Sequence, residues 1–408
     1  MTNQQEAPLG LAQRLARFLL KNKPFIVVWL SLFVSVAGIA MVSPLLSVFA
    51  EEMGASGIWL GLAFSGFALS QVPLMPIVGR LSDEFGKRNF LWLGLLIYAA
   101  AAIGYFWSPG YKELVYFRIF SGIGSAMVIP TAYAYVGELA PRGHEGRYMG
   151  IFNIAMVAGF GVGPMLGGIL HDSFGMDATF VSMGLLSSLG FLIAFFFLPG
   201  RNQSPFEREH RDLATPFTSM IQDNTIRGII TVQLVLGLSF GAVLTFLGIF
   251  MTSRLETSLV LVGVVMSVRY IQNGILAYPF GWLADRVNRV VLASIGLLVM
   301  AAGTLSISWI GNLALLVGVF VIMGTFESMA TPSINAITVD RGRVLGMGSV
   351  MGVFNTAMSV GLVIGSLAGG AVVDSWGIEW VFRYAAALVF VGIFLFNVLM
   401  RRKTIVSQ

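Results

Sequence analysis

Long stretches of apolar residues alternate with short polar breaks along the whole chain. A helix that spans a bilayer needs about 20 apolar residues. Because lipid offers no hydrogen-bond partner to the backbone, each stretch of that length predicts a helix whose hydrogen bonds are internal. We name the twelve predicted helices spans 1 to 12 in chain order. They cover residues 25–49, 58–79, 90–107, 113–137, 148–170, 177–199, 226–251, 258–281, 289–309, 312–337, 345–372 and 379–400.

The second half of this pattern repeats the first at a constant shift of 202 residues. The segment Gly79-Arg-Leu-Ser-Asp83 returns as Gly281-Trp-Leu-Ala-Asp285, and Gly150-Ile-Phe-Asn153 returns as Gly352-Val-Phe-Asn355. Since each half holds an even number of spans, the repeats run parallel about an axis along the membrane normal. The predicted fold is an all-α membrane protein with twelve transmembrane helices in two pseudo-symmetric six-helix bundles.

The polar breaks predict the domain boundaries. Residues 25–199 and 226–400 form the two bundles, and the one long polar break, 200–225, links them. Residues 1–24 form a basic leader and residues 401–408 a short tail. The leader is either a helix lying on the membrane surface or a solvated basic segment, and the sequence favours neither.

Composition and charge support this prediction and exclude other classes. Apolar residues make up 56% of the chain and charged residues 11%, whereas a soluble domain carries roughly 25% charged residues. Of the 25 Lys and Arg residues, 20 fall on the side that holds both termini, which predicts cytoplasmic termini in an inner (plasma) membrane. This bias explains the net charge of +5 without a nucleic acid. The chain has no Cys and three scattered His, so we expect no metal and no cofactor.

The loop between spans 2 and 3 places an acid beside a basic pair at the membrane edge. Asp83 is suited to accept hydrogen bonds from a neighbouring helix N-terminus, where the helix dipole favours an anion. Lys87 and Arg88 are suited to pair with an acid such as Glu138 at the end of span 4. We predict a latch between the halves; the alternative is that these charges only set the orientation. The latch residues are Gly79, Asp83, Gly86, Lys87, Arg88, Glu138 and Asp285.

Glycines spaced by four residues form a stripe along spans 5 and 11. Such stripes let helix backbones touch in lipid, and a proline within the stripe removes one backbone hydrogen bond and bends the helix. We predict that these helices form a close-packed pivot between the halves; the alternative is ordinary packing without movement. The pivot residues are Gly159, Gly163, Pro164, Gly167, Gly361, Gly365 and Gly369.

Three ionisable residues lie inside predicted spans, where a charge is costly and is a functional candidate by default. Glu327 is the one carboxylate well inside a span, and Arg269 lies at a comparable depth. We predict that these two pair, or compete for a proton and a substrate, and assign proton coupling to Glu327, Arg269 and Arg118. Arg118 lies nearer the end of span 4, so its side chain alternatively reaches outward to the membrane surface.

Three motifs resemble signatures of the major facilitator superfamily. Residues 79–88 resemble its signature between helices 2 and 3, and Arg118-Ile-Phe-Ser-Gly122-Ile-Gly124 resembles its helix 4 motif. Gly159-Phe-Gly-Val-Gly163-Pro164-Met-Leu-Gly167-Gly168 resembles the helix 5 motif of drug–proton antiporters. The resemblance covers nearly the whole chain. It implies the twelve-helix fold, alternating access and proton antiport, with Arg118 taking part in proton transfer.

The favoured function is export of amphipathic or lipophilic small molecules, driven by inward proton movement across the lipid bilayer. The alternatives are a proton-coupled symporter or facilitator for a small organic anion or other metabolite, and a lipid flippase. We do not expect an enzyme, because no nucleophilic, paired-carboxylate or metal constellation shares one helix face. We expect one chain to be the working unit. The predicted substrate cavity contains Gln71, Tyr133, Asn153, Gln233, Tyr270, Asn273 and Phe326.

Overall fold

The computed structural model describes residues 22–140, 145–199, 220–345 and 347–401. Within these residues twelve helical segments are long and apolar enough to cross a membrane, so the predicted all-α fold is confirmed. The helices are Lys23–Val42 and Leu46–Glu52 (together span 1), Gly57–Phe85, Lys87–Phe106, Tyr111–Leu139, Glu145–Phe174, Met176–Phe197, Asn224–Arg254, Leu259–Ala284, Arg289–Ile307, Leu313–Leu345, Met347–Trp376 and Ile378–Arg401 (spans 2 to 12).

Several helices run beyond their apolar stretches. Span 10 continues to Leu345, although its predicted apolar stretch ends at residue 337. A helix keeps its internal hydrogen bonds after it leaves the hydrocarbon. Polar turns can therefore extend it into water with all of their backbone groups still paired. Span 7 begins at Asn224, within the predicted linker, because Asp223 caps it by accepting hydrogen bonds from the backbone N–H groups of Thr225 and Ile226. Residues 1–21, 200–219 and 402–408, which hold most of the predicted leader, linker and tail, lie outside the described residues.

Span 1 is broken in the middle. Its first helix ends at Val42 and its second begins at Leu46, on either side of Pro44, whose ring disfavours a continuous helix. Ser43 lies in this break, and its Oγ donates a 2.9 Å hydrogen bond to the Ile39 carbonyl. The break brings a hydroxyl group into the bundle interior.

The two bundles pack on each other mainly along two pairs of helices, with smaller contacts of span 7 with spans 1 and 2. Within the first bundle, span 1 packs on spans 5 and 6, and within the second, span 7 packs on spans 11 and 12. Between the bundles, span 2 packs on span 11 and span 5 on span 8. Because the number of spans is even, Lys23 and Arg401 lie at the same end of the molecule, which we call the terminal end; the other is the opposite end.

Candidate functional site

A central cavity of about 180 Å³ lies between the bundles. It adjoins a second cavity of about 80 Å³ inside the first bundle, and the two share Ser43, Phe67, Arg118 and Phe160. Apolar and aromatic groups dominate the central wall, as in sites for small organic ligands. The wall comprises Ala40, Ser43, Pro44, Phe64, Phe67, Arg118, Phe160, Pro164, Leu244, Met266, Tyr270 and Leu362.

Of the seven predicted cavity residues, all of which the structure describes, Tyr270 alone lines this central cavity. Its ring stacks on Phe160 of the other bundle, with ring centroids 5.4 Å apart. The sequence did not single out Ser43, Phe64 or Phe67, because an apolar side chain in a spanning helix faces lipid, packing partners or a cavity with the same composition.

The other six predicted residues lie elsewhere in the bundles. Gln71 is buried and donates a 2.7 Å hydrogen bond to Ser125, and the hydroxyl of Tyr133 donates one of 2.8 Å to Asn153. Phe326 packs in a small cluster of the second bundle and does not line this cavity. Gln233 is buried in span 7, and Asn273 is half-buried in span 8.

Arg269 and Glu327 form the pair that the sequence predicted. The Nε of Arg269 donates a 2.7 Å hydrogen bond to Oε2 of Glu327, and both side chains are largely buried. The guanidinium also lies over the Phe240 ring, 4.7 Å from its centroid. A buried ion pair holds together while both partners keep their charge, and loss of either charge leaves the other uncompensated. The role of this pair in proton coupling stays a prediction.

Arg118 lies in the wall of both cavities and is 1% exposed. Its Nε donates to the Phe64 carbonyl at 3.2 Å, and its Nη2 donates to Ser43 Oγ at 3.0 Å. Its guanidinium lies over the Phe67 ring, 4.8 Å from the centroid. The alternative in which this side chain reaches outward to the membrane surface is therefore wrong, because the break in span 1 and the span 2 backbone hold it inside.

Span 2 and span 8 each bring a glycine against the backbone of the other bundle. Gly61 lies on the Ser366 carbonyl, and Gly263 lies on the Pro164 carbonyl. A Cβ added to either glycine would lie under 3.0 Å from those carbonyl oxygens. Both contacts lie toward the opposite end, and the shift of 202 residues maps one contact onto the other.

A second pair of related contacts lies nearer the surface of the opposite end. Gly168 meets the Leu259 carbonyl at the start of span 8, and Gly370 meets the Gly57 carbonyl at the start of span 2. These contacts also map onto each other by the shift of 202 residues. Four glycines therefore bring the two bundles into backbone contact at the opposite end.

The equivalent helices diverge at the terminal end. Gly79, Gly150, Gly281 and Gly352 lie near the terminal ends of spans 2, 5, 8 and 11, and nothing lies within 4 Å of a Cβ added to any of them. Tyr278 of span 8 is 85% exposed, beyond the last turn of this span that meets span 5. The bundles are thus closed together at the opposite end and spread at the terminal end.

Two aspartates reach across the closed end to the other bundle. Asp172, near the end of span 5, accepts a 3.2 Å hydrogen bond from the backbone N–H of Val260 in the first turn of span 8. Its repeat equivalent, Asp374, places its carboxylate against Gly57 in the first turn of span 2. An anion is favoured at a helix N-terminus, so each bundle holds the start of a helix of the other.

The glycine stripes themselves lie within the bundles. Gly159, Gly163 and Gly167 pack on span 1 at Val36, Ala40 and Met41, whereas Gly361 and Gly365 pack on span 7 at Leu234 and Leu238, and Gly369 meets Phe246 of span 7. The stripe glycines therefore do not themselves meet the other bundle, although spans 5 and 11 do pack on it, and the pivot stays a prediction. A spacing of four shows which residues share a face, but not which neighbour that face meets. Of the predicted pivot residues, Pro164 does contact the other bundle, through Gly263.

The predicted latch residues lie at the terminal end. Lys87 forms an ion pair with Glu138 inside the first bundle, while Arg88 donates to the Phe195 carbonyl at 2.7 Å. Gly86 turns the chain between spans 2 and 3 with a φ of 94°, a backbone conformation that favours glycine. The Asp83 side chain lies outside the described part of the structure.

The repeat relates the Lys87–Glu138 pair to a second ion pair that the sequence did not single out. Arg289 and Asp340, each 202 residues further on, are also paired. Asp285 lies beside them, with its Oδ1 3.4 Å from Nη2 of Arg289. Applying the shift to Lys87 and Glu138 would have found the second pair. Each pair joins helices of one bundle, so a latch between the halves stays a prediction.

The fold and the cavity define a membrane transporter. The Major Facilitator Superfamily model matches residues 28–268 and 229–407, and the chain belongs to that superfamily. Over 91% of its length it is 26% identical to an uncharacterized MFS-type transporter of Methanocaldococcus jannaschii, 97% of which is covered. It is 24% identical to Multidrug resistance protein MdtG of Proteus mirabilis, with 89% of this chain and 92% of that protein covered.

The fold is similar to that of solved transporters. A bacterial homolog to the human lysosomal transporter Spinster, in its inward-facing and unoccupied conformation, superposes with a TM-score of 0.76 at 12% sequence identity. The match covers 93% of this chain and 96% of that one. The chain is therefore a multi-pass transporter of a small molecule, and not an enzyme.

Proposed function

We propose that this transporter exports amphipathic or lipophilic small molecules in exchange for protons, by alternating access to the central cavity. The observation that carries the proposal is the buried ion pair between Arg269 of span 8, a span that also packs on the other bundle, and Glu327 of span 10. The relative MdtG, named a multidrug resistance protein, supports export of such compounds. The excess of Lys and Arg at the terminal end supports a cytoplasmic position for it, so the bundles would spread toward the cytoplasm.

Span 8 provides a physical link between the pair and the other bundle. Ser267 accepts a 3.1 Å hydrogen bond from the backbone N–H of Met165 in span 5, and Ile271 packs against Gly161. Residues four apart share a helix face, whereas Arg269, two residues from each, points to nearly the opposite face. A change at the ion pair therefore moves the same helix that carries the contacts between the bundles.

Protonation of Glu327 supplies such a change. A neutral carboxyl group binds Arg269 more weakly than a carboxylate does, and it leaves the guanidinium buried without a counter-charge. The packing of span 8 against span 10 is then less favourable. Protonation therefore changes the relative free energies of the two arrangements of the bundles. A proton that enters a cell down the membrane potential supplies about 2.3 kcal/mol per 100 mV, so its passage can drive export.

Proteoliposomes with one orientation of the protein test the proposal. The probes are pyrenebutanoate, the neutral pyrenebutanamide and the cationic dye rhodamine 6G, with internal pH followed by pyranine fluorescence. We expect at least one probe to move against an imposed proton gradient, with proton counterflow that Glu327→Gln abolishes. The matched control Glu379→Gln alters a carboxylate that pairs with Arg254 at the opposite end, and it should keep the coupling. Movement of probe and proton in the same direction, or coupling that survives Glu327→Gln, would contradict the proposal.

A further inference from the structure

The guanidinium of Arg118 has no carboxylate partner among the residues that the structure describes. Its polar partners are the Phe64 carbonyl and Ser43 Oγ, both neutral. The other buried arginine, Arg269, is neutralised by Glu327. The first bundle thus holds a buried positive charge that no carboxylate among the described residues balances.

A buried charge without a counter-charge is strongly unfavourable, and inside a membrane such a residue normally marks a ligand or ion pathway. Arg118 is 1% exposed, so little of its side chain is in contact with water. It also faces the central cavity, where a ligand has access to it. An anion in this cavity would balance the charge and complete the donor set.

The rest of the cavity determines what kind of anion fits. Beside Arg118 and Ser43, the central wall presents mainly aromatic and aliphatic groups, including Phe64, Phe160 and Tyr270. A small hydrated anion would leave this apolar surface in contact with water. A ligand with an apolar body would cover the surface, and the removal of apolar area from water would favour its binding.

We propose that the transported substrate is an amphipathic organic anion. Arg118 binds its carboxylate or sulfonate group while Ser43, which accepts from Nη2, holds the guanidinium in place, and its apolar body lies between Phe160 and Tyr270 of the two bundles. A guanidinium is suited to this role, since its planar fork of donors matches the two oxygens of a carboxylate. As a statement about transport, the inference rests on the proposed function; as a statement about binding, it is tested separately.

Binding is measured without any gradient, in nanodiscs of uncharged lipid, by energy transfer from tryptophan to pyrene, with empty nanodiscs as the blank. We expect the parent protein to bind pyrenebutanoate about tenfold to a hundredfold more tightly than pyrenebutanamide, as for a charge-assisted hydrogen bond. Arg118→Gln should abolish this preference, because it should weaken the binding of pyrenebutanoate much more than that of pyrenebutanamide. The control Arg227→Gln removes an exposed positive charge at the start of span 7 and should keep the preference.

Two further variants test the anion-binding role of Arg118 if Arg118→Gln does not fold. Arg118→Lys keeps the charge without the fork, and Ser43→Ala removes the hydroxyl acceptor that positions the guanidinium; each should reduce the preference severalfold. Equal binding of the two probes by the parent protein, or an unchanged preference in every Arg118 and Ser43 variant, would overturn the inference. Displacement of pyrenebutanoate by phosphatidylglycerol at equal concentration would overturn it too, because the anion would then be a lipid headgroup.

Transport separates this inference from the proposed function. Exchange of one proton for a monovalent anion moves two elementary charges in the same direction, whereas exchange for a neutral probe moves one. Proton-coupled pyrenebutanoate transport should therefore depend more steeply on an imposed membrane potential than transport of pyrenebutanamide. If the carboxylate preference is found but no proton coupling, the proposed function fails and the anion site stands.

Discussion

Gly61 of span 2 and Gly263 of span 8 occupy equivalent positions in the internal repeat, and each touches the backbone of the other bundle. The helices that they meet, spans 11 and 5, are also equivalent in the repeat. The two contacts thus close the opposite end on both sides of the pseudo-symmetry axis. A swing of one bundle against the other must open both of them together.

Replacing Gly263 by Leu should open the opposite end. An added side chain would meet the Pro164 carbonyl, and overpacking of this kind costs about 1–3 kcal/mol. The closed arrangement should therefore lose population about fivefold to a hundredfold. The chain has no Cys, so Trp107→Cys and Trp309→Cys, at exposed positions of the opposite end, give two unique sites for spin labels. Double electron–electron resonance measures the distance between these labels and thus the separation of the bundles at that end.

The matched control for Gly263→Leu is Gly318→Leu in span 10, where nothing lies within 4 Å of an added Cβ. It should leave the distance distribution of the labels unchanged. Gly61→Leu should behave as Gly263→Leu does, because the repeat makes the two contacts equivalent. A closed opposite end in both glycine variants would show that these contacts do not limit the approach of the bundles.

Asp172 should stabilise the closed arrangement through the start of span 8. Loss of a capping acceptor costs about 1 kcal/mol, and loss of the charge near a helix N-terminus about 0.3–1 kcal/mol. Asp172→Ala should thus raise the open population about tenfold to thirtyfold, and Asp172→Asn, which keeps an acceptor oxygen, should raise it less. The same labelled pair measures both changes. Asp177→Asn alters an exposed acid at the same end and should have no effect; equal effects of all three variants would exclude the contact with Val260.

Arg269 and Glu327 should depend on each other for stability. Removing one partner of a buried pair costs about 3–5 kcal/mol, whereas removing both leaves no uncompensated charge. Arg269→Gln and Glu327→Gln should each lower the thermal unfolding midpoint in detergent, and the double variant should be more stable than the sum of the two losses predicts. The midpoint is read from tryptophan fluorescence during heating. Strict additivity would mean that the two side chains are not coupled.

The Lys87–Glu138 pair should tolerate reversal of its charges. Glu138→Lys places two positive charges together at the terminal end and should lower the unfolding midpoint by several degrees. The swap Lys87→Glu with Glu138→Lys restores opposite charges and should recover part of the loss. Asp340→Arg tests the equivalent pair in the second bundle, where the partner Arg289 is more exposed, so we expect a smaller loss. No recovery in the swap would show that Lys87 and Glu138 act through other neighbours.

The sequence predicts the spans because the requirement to satisfy the backbone in lipid is strict and local. It also predicts the Arg269–Glu327 pair, since few charges lie inside spans and both helices begin at the same end. The burial of the Arg118 side chain could not be predicted in this way. Its burial depends on the break at Ser43 in span 1, and the sequence does not show which helices approach span 4 at that depth.

For a similar reason, the sequence does not show which neighbouring helices the glycine stripes contact. Gly163 and Gly168 lie five residues apart on one helix, yet the first meets span 1 of its own bundle and the second meets span 8 of the other. Which of these neighbours a face meets depends on helix tilt and crossing, which arise from the packing of the whole bundle. The repeat would have helped: Gly61 and Gly263 are equivalent glycines, as are Gly168 and Gly370.

Distances at the two ends of one protein in lipid nanodiscs test the central claim, that the bundles swing about the shared cavity. Spin labels on Asn89→Cys and Val291→Cys, exposed and equivalent positions, follow the terminal end, and the Trp107→Cys and Trp309→Cys pair follows the opposite end. When the pH is lowered or pyrenebutanoate is added, we expect one distance to shorten as the other lengthens. Distances that stay fixed at both ends, or change in the same sense, while the labelled protein still transports would contradict the account.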